Sequence, residues 1–184
     1  GVALAAAGCQ READPAAPRP APPAGGEHRV QSGHARMTIN ADQVRTWSEQ
    51  LCTLPPLEVS AAPAALGLSG ALVAQSSDFA TLDPPPAGAT RVGLTRENLG
   101  DNKGRLGAIE VEPSAPITRA ELDARLGAGN ALPRVDYNRP FVISYRVERP
   151  GAGFRCTVLA SFADEPGATT PATKIALRRD VVKR

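Results

Sequence analysis

Only two histidines occur in the chain, His28 and His34, and both precede residue 37. The rest of the sequence therefore has no imidazole to serve as base for a Ser or Cys nucleophile. The three cysteines, Cys9, Cys52 and Cys156, form no Cys-x-x-Cys pair, so the usual zinc-ligand spacing is missing. No metal or cofactor is expected. Aromatic residues make up 4% of the chain, with a single tryptophan, so a core must rest on Val, Ile, Leu and Ala. No segment reaches the ~20 consecutive apolar residues that cross a bilayer. Charge of one sign is not in excess either: 21 basic and 19 acidic residues leave +2, too even for an electrostatic nucleic-acid surface. Gly100 to Gly107 lies inside a predicted hairpin and does not form a phosphate loop between a strand and a helix.

What is present begins at the N-terminus. Leu4-Ala5-Ala6-Ala7-Gly8 is small and apolar, Cys9 follows, and Gln10 to Pro15 is polar before a Pro/Ala-rich stretch to Gly26. An apolar run ending in small residues reads as the end of a secretory signal. With the cysteine immediately after it, the segment resembles the lipobox of bacterial lipoproteins. The resemblance implies cleavage before Cys9, lipid (palmitate) on Cys9, and a domain hanging from a membrane of the cell envelope. Residues 1–8 are then a signal-peptide remnant, and residues 9–36 are the lipidated cysteine and a disordered tether. Prolines 15, 18, 20, 22 and 23 favour an extended polyproline path at ~3.1 Å per residue. Gln10, where Asp would retain the protein at the inner membrane, points by analogy with enteric sorting to the outer membrane, facing the periplasm. His28 and His34 read as solvated tail residues. Arg178, Arg179, Lys183 and Arg184 read as a solvated chain end, with a contact to lipid headgroups as the alternative.

With Cys9 lipidated, Cys52 and Cys156 remain. An even remainder in an oxidising compartment reads as one disulfide, the alternative being two buried thiols. Residues 37–184 are expected to form a single α+β domain. Asn40 and Gln43 mark a helix start, Val44, Trp47 and Leu51 form its apolar stripe, and Pro55-Pro56 stop it. Leu57–Val59 and Leu68–Ala74 are weak strand candidates. Arg91–Thr95 and Leu106–Glu112 read as strands of a hairpin, with Ile109 and Val111 alternating with Glu110 and Glu112. Thr118 and Glu121 form a capping box ahead of Leu122 and Leu126, and Gly127 ends that helix. Phe141–Val147, Phe154–Phe162 and Thr173–Arg179 then alternate as strands. The fold class is α+β: an antiparallel sheet with two short helices packed on one face, ending in a three-stranded meander.

These residues carry little chemistry. Glu110 and Glu112 share a strand face and could serve a carboxylate-based hydrolase, a remote reading. A protein-binding module with a structural or assembly role in the envelope fits better, its partner being an envelope or periplasmic protein. The helix and three strands at the end are similar in architecture to small lipoproteins of the outer-membrane β-barrel assembly machinery. The alternative is an immunity or inhibitor lipoprotein that blocks a toxin or hydrolase. In either case the candidate contact is the Gly127–Pro140 loop, with Arg134, Asp136, Tyr137 and Arg139, because Tyr and Arg dominate binding hot spots. Leu99–Gly104 is the second candidate loop. The sequence does not fix an oligomeric state.

Overall fold

Asn40 begins the first helix by accepting a hydrogen bond from the Gln43 amide, 2.9 Å from its Oδ1, which satisfies one of the orphan donors of the first turn. The helix, α1, runs Ala41–Thr53 and buries Val44, Trp47 and Leu51. Trp47 is enclosed, and its indole N–H donates to the Leu66 carbonyl at 3.1 Å. The computed structural model describes residues 39–53, 55, 57–98, 103–147 and 154–181. Cys9, the segment with His28 and His34, residues 99–102, residues 148–153, Lys183 and Arg184 lie outside the described residues.

The remaining elements are α2 (Ala62–Ala65), β1 (Ala71–Ala74), β2 (Phe79–Asp83), β3 (Ala89–Arg96), β4 (Leu106–Pro113), α3 (Arg119–Leu126), β5 (Asn130–Ala131), β6 (Phe141–Val147), β7 (Phe154–Phe162) and β8 (Lys174–Val181). The strands form one eight-stranded sheet in the order β1-β2-β3-β4-β8-β7-β6-β5, antiparallel throughout. The fold is thus mixed α+β and dominated by its sheet. The middle of the sheet is the long-range β4–β8 pair, with Ile109 opposite Leu177 and Val111 opposite Ile175. These four side chains are buried, and full burial of such groups stabilises by about 1.5–3 kcal/mol each. Helix α1 lies against β7, β8 and α3, and α3 lies against β6.

Local signals explain α3 well. Thr118 Oγ1 accepts from the Glu121 amide, and the Glu121 carboxylate accepts from the Thr118 amide at 2.7 Å. That backbone bond, followed by the Thr118 hydroxyl, holds the Glu121 carboxyl below its ordinary range. The amides of Arg119 and Ala120 donate to the carbonyls of Thr170 and Ala168, so the β7–β8 connection caps the helix too. Arg119 adds a bond to the Pro166 carbonyl at 2.7 Å and an ion pair to Asp123. Asp123 in turn accepts from the Tyr145 hydroxyl at 2.9 Å. Burial first, then that bond, pushes the Tyr145 phenol well above its usual range.

Residues 57–90 differ most from expectation. Leu57–Val59 is not a strand; Glu58 makes only an isolated bridge to Arg105. A third helix, the four-residue α2, appears where two helices in all were expected. Ala-Pro-Ala-Ala has no apolar period to announce it, and Pro63 is tolerated because it falls in the first turn. Strand β1 is shorter than Leu68–Ala74, and β2 was not anticipated because its five residues end against Pro84. Two-residue β5 is likewise too short to be read from pattern.

Cys52, at the end of α1, and Cys156, in β7, are joined by a disulfide with a Cα–Cα distance of 5.8 Å across a sequence separation of 104. It ties the first helix to the sheet.

Candidate functional site

Side chains alternate along the strands, and much of the row that alternates with the core row stays accessible, although Ser161 and Ala176 in it are buried. On β4 the buried Ile109 and Val111 are followed by Glu110 and Glu112 on the other side. Glu110 pairs with Lys174 at 3.6 Å, and Glu112 pairs with Arg91 at 3.3 Å. The two carboxylates considered for hydrolysis are therefore each held by a cation. Among the described residues no cluster of His, Cys, Asp and Glu is placed to hold a metal ion, and no helix is long and apolar enough to cross a membrane.

This side of the sheet carries a shallow cleft of about 480 Å³. Small side chains make it: Ala108 and Ala176 stand where larger residues would fill the space. Thr95, Glu110, Leu159 and Arg178 line it, and Glu97–Asn98 form one wall. A second hollow of about 440 Å³ lies beneath the Pro133–Pro140 loop. The two share Val142, Ser161 and Lys174, so the loop stands at the border of the cleft.

The loop itself has an internal frame. Leu132 donates to the Val142 carbonyl at 2.9 Å, which continues the β5–β6 ladder into the loop. Asp136 Oδ1 accepts from the Asn138 amide at 2.9 Å, and the Asp136 carbonyl accepts from the Arg139 amide at 3.1 Å. This is an Asx-type turn. Arg134 turns its guanidinium inward to the carbonyls of Tyr137 and Arg139, and stacks on Phe141 with 4.1 Å between charge and ring centre. Of the four site residues expected from sequence, three take distinct roles, and Arg139 enters through its backbone amide and carbonyl. Arg134 and Asp136 organise the loop, while Tyr137 is displayed at its tip.

Tyr137 is 92% exposed and Val135 is 95% exposed. Val135 was missed by sequence reasoning, which weighed only the loop's Tyr and charged residues. Its signal was an apolar side chain between Arg134 and Asp136 in a segment with no strand or helix period. The Leu99–Gly104 loop is described only from Lys103 onward.

Comparison of the chain with protein-family models, with curated proteins and with solved structures found no match.

Proposed function

We propose that this chain is a lipid-anchored, extracytoplasmic protein-binding module of the bacterial cell envelope, with a structural or assembly role and no catalytic activity. The anchor is Cys9, the membrane is the outer one, and the domain faces the periplasm. Two helices, α1 and α3, close one face of the sheet, and the β6–β7–β8 meander presents the contact loop beside the free face.

One observation carries this reading: two large apolar side chains, Val135 and Tyr137, are almost wholly exposed on a loop braced from within. Contiguous exposed apolar surface marks contact sites, and Val135 and Tyr137 lie two residues apart on this one loop. A loop ordered before binding loses little entropy on docking, and a Tyr anchor can cost about 2 kcal/mol or more when truncated.

The test is capture from detergent-solubilised envelope with immobilised protein. The double change Val135→Ser, Tyr137→Ala should leave the melting transition nearly unchanged and remove a protein that the wild type retains. Equal capture by both forms would place the binding surface elsewhere. The same projecting tip also suits an inhibitor or immunity lipoprotein, in which Tyr137 enters the cleft of a toxin or hydrolase. In that case the retained protein is an enzyme, and adding the wild-type chain stops its turnover.

A further inference from the structure

The two edges of the sheet are built differently. Strand β5 is two residues long, and Pro133 follows it closely. Short edge strands and nearby proline discourage pairing with another chain. Strand β1 is twice as long, at four residues, and among the described residues carries no proline or charge of its own. The sequence holds no charged residue between Glu58 and Asp78, and Ala71-Leu72-Val73-Ala74 presents Val73 at 40% exposure on the outer strand of the sheet.

The phase of the ladder shows which backbone groups are left over. The Gln75 amide donates to the Phe79 carbonyl at 2.9 Å, and Ala71 and Val73 lie opposite Asp83 and Thr81. Antiparallel pairing alternates direction residue by residue. Ala71, Val73 and Gln75 therefore turn their peptide groups to β2, while Leu72 and Ala74 turn theirs outward. On the other side of β2 the Arg96 amide donates to the Asp78 carbonyl at 2.8 Å, which fits the same alternation.

We propose that β1 pairs antiparallel with β1 of a second copy of this chain. A two-fold axis through Val73 sets the outward peptide groups of Leu72 against those of Ala74 in the second copy, and Ala74 against Leu72. This register also matches the side chains. Leu94, Ala80 and Ala74 are opposed across β3, β2 and β1, as are Leu82 and Leu72 across β2 and β1. Joining Ala74 to Leu72 of the second copy gives an unbroken apolar row across the junction. On the opposite side the two Val73 side chains meet, each flanked by its own Thr81. A segment that is uncharged and self-complementary in this register suits an identical strand. The inference does not depend on the Pro133–Pro140 loop.

Sedimentation of the wild type at chain concentrations up to about 1 mM, where even a weak complex is populated, should show a monomer–dimer equilibrium. Val73→Lys should fold and remain monomeric, as should Val73→Asp, and an equimolar mixture of the two should recover the dimer. In a Cys9→Ser background, Val73→Cys should crosslink on mild oxidation, because opposed residues in such a pair have Cβ atoms about 4.5–5.5 Å apart. A wild type that is monomeric throughout overturns the proposal and leaves the edge to an extended strand of another protein. A Val73→Lys variant that dimerises as well as the wild type overturns it too.

Discussion

The guanidinium of Arg134 lies 4.1 Å from the centre of the Phe141 ring and donates to the carbonyls of two residues in its own loop, Tyr137 and Arg139. Phe141 opens β6, so this one side chain couples the loop tip to the sheet. Replacing Arg134 with Ala should loosen the loop with little change in global melting, since every residue from Asn130 to Pro140 is exposed. Amide exchange at Asn138 and Arg139 should speed up while β6 and β7 stay protected. Arg134→Lys should fall between the wild type and the Ala variant: one nitrogen, Nη2, makes both carbonyl bonds and an ammonium can also donate twice, but it has no planar face to stack on Phe141. Unchanged exchange at both amides would mean that the Asp136 turn holds the loop alone.

Tyr145 is the buried counterpart. Removing its hydroxyl with Tyr145→Phe deletes the bond to Asp123, a loss of about 1–2 kcal/mol. The melting temperature should fall by roughly 2–8 °C. The pH dependence follows from the raised phenol pKa. The folded chain keeps this proton above pH ~10, where unfolded tyrosine releases it. The contribution is complete below that value and is lost as pH rises further. Urea midpoints at alkaline pH should decline more steeply for the wild type than for Tyr145→Phe, and equal slopes would contradict the assignment.

The Cys52–Cys156 bridge closes most of the domain into one loop. On the chain-entropy account, its removal by Cys52→Ala with Cys156→Ala should cost ~4–5 kcal/mol, read from urea unfolding. Non-reducing peptide mapping should recover the two cysteine peptides joined. Two free thiols in the folded protein would remove the basis of this expectation.

The proposed lipid anchor is tested at Cys9 in cells. On this proposal Cys9→Ser should move the protein from the membrane fraction to the soluble fraction, since acyl chains on Cys9 would supply the affinity. Retention of the variant on membranes after a high-salt wash would rule out a lipobox.

Much of the architecture was written locally. The helix at Asn40 and the capping box at Thr118 depend on side chains within one turn of the groups they satisfy, so sequence alone locates them. The alternation of Ile109 and Val111 with Glu110 and Glu112 likewise assigns a strand and its faces, because the side-chain period of a strand is two. The pairing of Cys52 with Cys156 follows from the sequence only when Cys9 is set aside as the proposed lipid site, since three cysteines by themselves leave the partner open. Tertiary structure decided the rest. The pairing of β4 with β8 joins residues more than sixty positions apart, from Val111 with Ile175 to Ala108 with Arg178, and each half offers several equally apolar neighbours. Strand β2 forms because β1 and β3 flank it, while its own five residues are ambiguous. The inward turn of Arg134 was also beyond reach: a charged loop residue reads as a contact to others until Phe141 is known to lie beneath it. Local rules act over one turn or one strand period, whereas strand order and loop bracing depend on contacts between residues far apart in the chain.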